Sequence, residues 1–510
     1  MPISEPNVTL QIIPAAQLAG VTEQKVLLVG QMLSGGTATA GYLLQEFPND
    51  GTEDALFGKR SHIAGMVRNF KRENKISRVD VLPLDDAGGA TQATAIITVT
   101  NAATEAGSID ISIGSEKDHT VTVDIADLDA ATDIGDAIVT ALTANLTMPA
   151  QAANVAGVVT VTAENGGTLA NSWSVKVSGS VAGVSIALTG WTGGTTDPTL
   201  TGILDPIANI RYQTVVWPGG YALDVIEDEL NTRFNASNSV MDGVAVQVKV
   251  DTLANLKTYT SPLNSQSLVI AGQKVVDTAT LKGSATVEMP DTAASQIAAI
   301  RALRLTEGAS LTRYLTTVSP KDQFGGVSIA SLPYFNTLLP YMTVADPVDE
   351  FTATDLDELR DNAVAAYGPN RAYNATIMGE FVTTYLTDIA GNPDDSYKFL
   401  NTIDTASVIR EFFFANMKAR YAQTRLTDGD LVAGRDMANA SSVRAFCNEL
   451  YDRLAEDALT QRGTAAKKDY NDNLSIDIDV RNGKVTIDQA PLLVSQVRTI
   501  LGTIQINFGG

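Results

Sequence analysis

The chain has 510 residues, of which 44% are hydrophobic and 18% charged, and its formal net charge is -22 at pH 7. This length predicts about three domains, and the apolar content suffices for sizeable cores, which argues against a disordered chain. The acidic balance argues against nucleic acid and anionic membranes as partners, because both repel a negatively charged surface.

Cysteine usage and the N-terminus narrow the class of protein further. The single cysteine, Cys447, excludes an intramolecular disulfide and a thiolate metal cluster. The N-terminus lacks a basic region followed by an apolar run, so no secretory signal is expected. No apolar stretch reaches the roughly 18 residues of a membrane span. We therefore expect a chain that folds in a cytoplasm without direct membrane insertion.

Residues 1–20 have the pattern of a strand-forming arm. Pro2, Pro6 and Pro14 disfavour a helix there. Between the prolines, apolar and polar residues alternate with the period of two that is typical of a strand. The apolar members of this alternation are Val8, Leu10 and Ile12.

Residues 21–88 and 199–350 have the pattern of an α/β core domain. Lys25–Gly30 is a continuous apolar run that ends in glycine, as in a buried parallel strand. A helix over Ser61–Asn74 and a strand over Arg78–Leu84 follow. Because strands alternate with helices, we expect a mainly parallel sheet. The later elements are predicted over Tyr212–Trp217, Ala222–Phe234, Gly243–Val250, Ser267–Ala271 and Ala293–Leu305.

Residues 89–198 are rich in Gly, Ala, Thr and Val and predict an inserted, mostly β domain. One helix, near Asp133–Ala144, interrupts its strands. Glycine pairs at 88–89 and 193–194 are plausible hinges. The predicted strands are Ala95–Thr100, Ile109–Ile113, Thr120–Ile125, Val158–Ala163 and Ser174–Val177.

Residues 351–496 predict a more helical C-terminal domain. Thr354 and Asp357 resemble a capping box, and the helix that they begin is expected to end at Tyr367-Gly368-Pro369. Ser442–Leu459 is predicted as another helix. Its apolar stripe consists of Val443, Phe446, Cys447, Leu450 and Leu454.

The same domain ends in a predicted β-hairpin at 474–488. Asn482-Gly483 is a strong signal for a two-residue turn, which requires positive φ at both positions. Such a turn pairs Val480 with Val485 and Ile478 with Ile487, and these residues share one apolar face with Ile476. It also places Asp477 opposite Asp488, an unfavourable pair of like charges.

Residues 497–510 form a second predicted strand arm. From Thr499 to the end this segment has neither a charge nor a proline. An exposed edge of this strand would therefore pair readily with strands of other chains. The apolar face consists of Ile500, Ile504, Ile506 and Phe508. Two strands alone are marginal in water, so the hairpin needs further partners. The arms either fold back onto their own hairpin or add strands to the hairpins of neighbouring copies.

The sequence has no catalytic or metal-binding motif that favours an enzyme. His62 and His119 lie in different predicted domains, and the chain has no HExxH, CxxC or GxSxG motif. The segment from Gly51 to Lys59 departs from a phosphate-binding loop in spacing and lacks its Ser/Thr, so a loop that leads into a helix is the better interpretation. No catalytic residue, metal ligand or cofactor is predicted.

Several segments together resemble the sheath proteins of contractile bacteriophage tails, nearest the Mu-type branch. Each motif is weak alone, and the resemblance rests on their order along most of the chain. The segments are Gln24–Gln31 (QKVLLVGQ), Asp54–Phe70 (DALFGKRSHIAGMVRNF), Tyr212–Phe234, the inserted Val158–Val177, and the C-terminal hairpin with its final strand.

This resemblance implies the fold and the function. The implied fold is α/β (α+β overall), with a mainly parallel-sheet core, an outward-facing β-rich insert and a C-terminal α+β domain with strand arms. Sheath subunits form hexameric rings stacked into a helical tube around the tail tube protein, between baseplate and tail terminator proteins. Contraction drives the tube through the host envelope. The implied inter-subunit mesh comprises Val8, Leu10, Ile12, Ile476, Ile478, Val480, Val485, Ile487, Ile500, Ile504, Ile506 and Phe508.

Two other classes of protein remain open from the sequence. An adhesin or decoration protein would bind the host through the β-rich insert, and a hydrolase is the least favoured hypothesis. The arms discriminate against a monomeric adhesin, which has no need of adhesive strands at both ends.

Overall fold

The structure of the protein is a computed structural model, and it describes residues 24–47, 51–115, 117–235, 240–275, 288–317, 334–345 and 349–494. The arm residues of both ends therefore lie outside the described residues. No helix in the described ranges is long and apolar enough to cross a membrane.

The strands and helices have the following bounds. The strands are β1 (Lys25–Gln31), β2 (Arg78–Leu84), β3 (Gln92–Thr100), β4 (Gly107–Ile113), β5 (Thr120–Ile125), β6 (Ala150–Val155), β7 (Val158–Gly166), β8 (Val175–Ser178), β9 (Ser185–Thr192), β10 (Thr214–Val216), β11 (Val244–Asp251), β12 (Leu268–Lys274), β13 (Ala365–Pro369), β14 (Thr376–Met378), β15 (Arg425–Leu426), β16 (Met437–Ala438), β17 (Ser475–Asp479) and β18 (Lys484–Asp488). The helices are α1 (Glu53–Phe57), α2 (His62–Glu73), α3 (Ala131–Ala144), α4 (Asp224–Phe234), α5 (Leu253–Thr260), α6 (Pro290–Thr317), α7 (Ala353–Asp361), α8 (Leu400–Tyr421), α9 (Ala440–Glu456) and α10 (Thr464–Asp472), and short 3-10 turns lie at Leu169–Ser172 and Asp205–Ile207.

Contacts divide the chain into two units. The larger unit consists of Glu23–Gly308 and Leu332–Ile403. Within the described residues, the smaller unit consists of 309–317 and 404–494.

A seven-stranded sheet in the order β14-β13-β12-β11-β10-β1-β2 is the centre of the larger unit. All its neighbouring strands are parallel except the pair β13 and β14. Strand β1 is buried on both faces: Val26 and Leu28 pack with α2 and α6, whereas Leu27 and Val29 pack with α4. This burial on both faces explains the continuous apolar run in the sequence and confirms the predicted mixed fold with a parallel sheet.

The structure corrects the predicted helix after residue 353. Helix α7 begins at the cap Thr352, whose side chain accepts from the backbone N–H of Asp355, and it ends at Asp361. Tyr367-Gly368-Pro369, interpreted as the helix end, instead belongs to β13. Val364 and Ala365 are fully buried, and an extended chain places them against the sheet. Strands β13 and β14 thus complete the core sheet beyond the boundary predicted at residue 350.

The insert forms two antiparallel sheets around its own core. Strands β6-β7-β3-β9 form one sheet and β5-β4-β8 the other, and α3 packs on them. The sequence analysis missed β6 and β9. Strand β6 (AQAANV) has few β-branched residues, so its local preference for a strand is weak. Trp173 and Trp191 pack edge to face in this core, with ring centroids 5.3 Å apart.

The described part of the smaller unit is mainly helical. Helix α8 contributes Ile409, Phe412 and Phe413 to a core with Leu450 and Leu454 of α9. Helix α8 was not predicted. A second core lies between α9, α10 and the β17–β18 hairpin, and this core forms the candidate site.

Candidate inter-subunit strand site

Helix α9 supports the hairpin. Asn439 caps the helix, because its Oδ1 accepts from the backbone N–H of Ser442 at 3.0 Å. The predicted stripe is confirmed in its main members: Val443, Cys447 and Leu450 are buried, as is Leu454. Cys447 is a packing residue, and burial raises the pKa of its thiol to about 11. The thiol therefore stays protonated and unreactive near neutral pH.

Tyr470 of α10 joins this helix to the hairpin. Its ring stacks on that of Tyr451 with centroids 4.3 Å apart, and its hydroxyl donates to Oε1 of Gln489 at 2.8 Å. Arg444 donates through Nη2 to the carbonyl of Leu474, at 2.6 Å, where the hairpin begins. Sequence analysis missed these three contacts. Ala466 and Tyr470 are both buried and lie four residues apart, which is helical spacing. This spacing is the sequence signal that could have predicted α10.

The hairpin exists, but its predicted register is wrong. Ile478 lies opposite Val485, and Ile476 lies opposite Ile487. The connection is therefore a four-residue loop over 480–483. Val480 is in this loop and 39% exposed, so it is removed from the apolar face.

The side chain of Asp479 provides the physical reason for this longer turn. Its Oδ1 accepts from the backbone N–H of Asn482 at 3.0 Å, and its Oδ2 accepts from the Asn482 amide at 2.6 Å. Gly483 has φ +64°, whereas Asn482 is not among the residues with positive φ. A two-residue type I′ turn needs positive φ at both positions, so this conformation excludes it. The bonds from Asn482 also lower the pKa of Asp479.

The shift by two residues keeps the other four apolar residues on one face. Ile476, Ile478, Val485 and Ile487 still share one side and pack, half-buried, against the core that contains Tyr470. The register also removes the predicted charge conflict, since Asp477 lies opposite Thr486 and Ser475 lies opposite Asp488.

Both outer edges of the hairpin are without a strand partner within the described residues. β17 and β18 form a two-stranded sheet. After β18 the chain runs beside the end of α9, where Leu493 bridges to Thr460 and the Val494 N–H donates to Leu459 at 3.1 Å. The predicted arm at 497–510 follows, outside the described residues. The geometry offers free backbone donors and acceptors to an added strand.

The two histidines line the same cavity although they come from different parts of the chain. His62 of α2 and His119 of the insert line one cavity of about 310 Å³. Burial lowers the pKa of both, that of His119 to about 4, so both are neutral at pH 7. In the described ranges, no group of three or more His, Cys, Asp or Glu side chains is arranged to hold a metal ion.

The segment that superficially resembles a phosphate loop is a connection between helices. Gly58, at φ +84°, ends α1, and α2 begins after the cap Ser61. A Cβ on Gly58 would lie 2.8 Å from the side chain of Leu33. Local packing therefore accounts for this glycine.

The sequence is similar to one curated protein over nearly its whole length, although no protein-family profile matches it. The relative is a Mu-like prophage FluMu tail sheath protein of Haemophilus influenzae. It is 22% identical over 492 residues, which cover 94% of this chain and 92% of the relative. This match confirms the resemblance that the ordered motifs indicate.

Solved structures that match most of the chain include three sheath proteins. A sheath tail protein from Desulfitobacterium hafniense (11% identity, TM-score 0.45) covers 96% of this chain, and the match spans 100% of that chain. A sheath tail protein from Listeria innocua (11%, TM-score 0.46) covers 94% of each chain. The helical sheath of the anti-feeding prophage in the contracted state (9%, TM-score 0.47) covers 99% of each. At TM-scores below 0.5 these likenesses are weak, and the family resemblance rests on the sequence match.

Over nearly its whole length, the chain is therefore similar in sequence to a tail sheath protein. That relative is the sheath protein of a Mu-like prophage.

Proposed function

We propose that this subunit polymerises around a tail tube by exchanging strands with its neighbours. The arms of one copy, at 8–13 and 499–508, would pair with the edges of the β17–β18 hairpin in adjacent copies. The observation that carries the proposal is the hairpin itself, whose apolar face is covered by α9 and Tyr470 while its edges have no strand partner in the described residues.

The wider role follows from the family resemblance. Hexameric rings of the subunit stack between a baseplate and a tail terminator protein, after assembly in the host cytoplasm, as a component of the virion. Contraction rotates the subunits while the strand mesh stays connected, and it drives the tube through the host envelope. Two interface packings of different free energy are the physical basis of such a switch.

Deletion of Thr499–Gly510 tests the proposed exchange. We expect a folded chain that no longer forms tubes in negative-stain electron microscopy, because one strand of each contact is lost. Matched full-length variants distinguish the loss of the arm's apolar face from the shortening of the chain. Threonine at the four apolar arm positions should also abolish tubes, whereas serine at Thr499, Thr503 and Gln505 should not. A truncated chain that polymerises normally would contradict the proposal.

A further inference from the structure

The order of the parallel strands reverses beside β1. Strand β2 lies on one side of β1, while β10, β11 and β12 extend from the other. In open α/β sheets this reversal leaves a crevice at the carboxyl ends of the strands, and ligands characteristically bind there. In this chain Gln31 ends β1 and Pro218-Gly219 follows β10, so these residues border the crevice.

A loop of the insert reaches this crevice. We call residues 165–168, which are the last two residues of β7 and the two that connect it to the following 3-10 turn, the crevice loop. On the β2 side, Asp86 binds it: the carboxylate accepts from the Gly166 N–H at 2.7 Å, from the Asn165 amide at 2.9 Å and from the Gln31 amide at 2.7 Å. The Asn165 amide also donates to the carbonyl of Met32 at 2.9 Å. The loop is thus tied to the carboxyl ends of β1 and β2.

A second carboxylate holds the other end of the crevice loop. Asp197 accepts from both the backbone N–H and the hydroxyl of Thr168, each at 2.7 Å. Two glycines permit the close approach. A Cβ on Gly220 would lie 2.7 Å from Oγ1 of Thr168, and one on Gly167, at φ +109°, would lie 2.7 Å from Oδ1 of Asp197.

Further contacts flank the crevice loop and extend the junction. Asn165 accepts from the backbone N–H of His62 at 3.0 Å, and the ring of His62 packs edge to face on Trp173 at 5.5 Å. Arg60 forms an ion pair with Glu164 at 3.1 Å. The insert therefore contacts the core through a partly buried polar network as well as through its two chain connections.

We infer that the crevice loop is the built-in occupant of the ligand crevice of this α/β fold. The loop supplies the backbone N–H groups and the hydroxyl that Asp86 and Asp197 bind. It fills the part of the crevice beside β1 and β2, next to an open cavity of about 990 Å³ that Thr168 and Gly220 help to line. Because the loop belongs to the insert, its docking makes the insert and the parallel sheet one rigid body. The glycine pairs at 88–89 and 193–194 then act as tight connections, and not as hinges.

Hydrogen exchange of the full-length chain, followed by mass spectrometry, tests this inference. In the double variant Asp86→Asn with Asp197→Asn, peptides that cover the crevice loop should exchange on the order of tenfold faster, since bonds to a charged acceptor are lost. Peptides from the interior of β3 and β7 should keep their wild-type rates. Asp110→Asn is the matched control, because Asp110 accepts a 2.6 Å bond from Thr122 inside the insert, away from the crevice.

Glycine substitutions provide an independent readout if the double variant does not fold. Gly167→Ala should also speed exchange of the crevice loop, because the added methyl meets Asp197. Gly193→Ala is its control: Gly193 also has positive φ, at +88°, but nothing lies within 4 Å of an added Cβ. Wild-type exchange rates in the crevice loop of both the double variant and Gly167→Ala would overturn the inference. So would protease release of the intact insert from the wild-type chain as readily as from the variants.

Discussion

Glu288 is a buried carboxyl group in the larger unit. Its Oε1 accepts from the backbone N–H of Thr343 at 2.6 Å and from the hydroxyl of Ser115 at 3.2 Å. Burial nevertheless raises the pKa of Glu288 from 4.5 to about 7, because removal from water disfavours the charged form more than these bonds favour it. Its protonation state therefore changes in the physiological range of pH.

A raised carboxyl pKa predicts how stability depends on pH. The contribution of Glu288 is fully present below about pH 4.5 and is lost as the pH rises through about 7. From pH 5 to pH 8, wild type should lose on the order of 2–3 kcal/mol of unfolding free energy relative to Glu288→Gln. Urea unfolding monitored by tryptophan fluorescence measures this loss, since all three tryptophans lie in the larger unit.

The exposed Glu105 provides the control, because Glu105→Gln should keep the pH dependence of wild type. Burial also raises the pKa of Glu73 to about 7 and that of Glu350 to about 8, so a residual slope of the same sign should remain in Glu288→Gln. If wild type and Glu288→Gln had parallel pH profiles, Glu288 would not titrate as described.

At the scale of the element, the hairpin register is open to a direct test. Ile478 faces the core of the smaller unit, whereas Val480 lies in the turn. Ile478→Ala should lower the free energy of hairpin opening by about 1–2 kcal/mol, because a half-buried side chain is truncated. Val480→Ala should change it by less than about 0.5 kcal/mol. Hydrogen exchange of peptides spanning β17 and β18 measures both, and equal costs would support the two-residue turn instead.

The sequence determines some elements better than others, for physical reasons. Burial on both faces imposes continuous apolar runs, so β1 and β2 were predictable. Alternation in the hairpin fixes which face is apolar, but a shift by two residues preserves that face. The register therefore depended on one side chain, Asp479, whose bonds to Asn482 compete with the expected turn. The pair Gly368-Pro369 indicated the end of a helix. The buried residues before this pair instead extend the core sheet as part of β13.

At the scale of the whole molecule, the sequence predicted an insert but not its docking. The network that holds the crevice loop joins residues far apart in the chain: Asp86 and Asn165 are 79 positions apart. No local pattern in the sequence encodes a bond between residues so far apart. The glycine pairs at 88–89 and 193–194 indicated hinges because a local sequence pattern does not show long-range bonds. The docking of the insert thus depends on long-range hydrogen bonds, which the sequence does not predict.

The proposed pairing joins the arms to hairpins of other copies, and not to their own. Two chains in a Cys447→Ala background test it directly. One carries a single cysteine on the polar face of the arm, at position 503, 505 or 507 in turn, and the other carries Asp477→Cys or Thr486→Cys on the hairpin. Only contacts between chains can form a disulfide in the mixture. We predict a covalent pair of the two chain types under assembly conditions. No cross-link in any mixture, with an intramolecular disulfide when both cysteines are on one chain, would contradict the account.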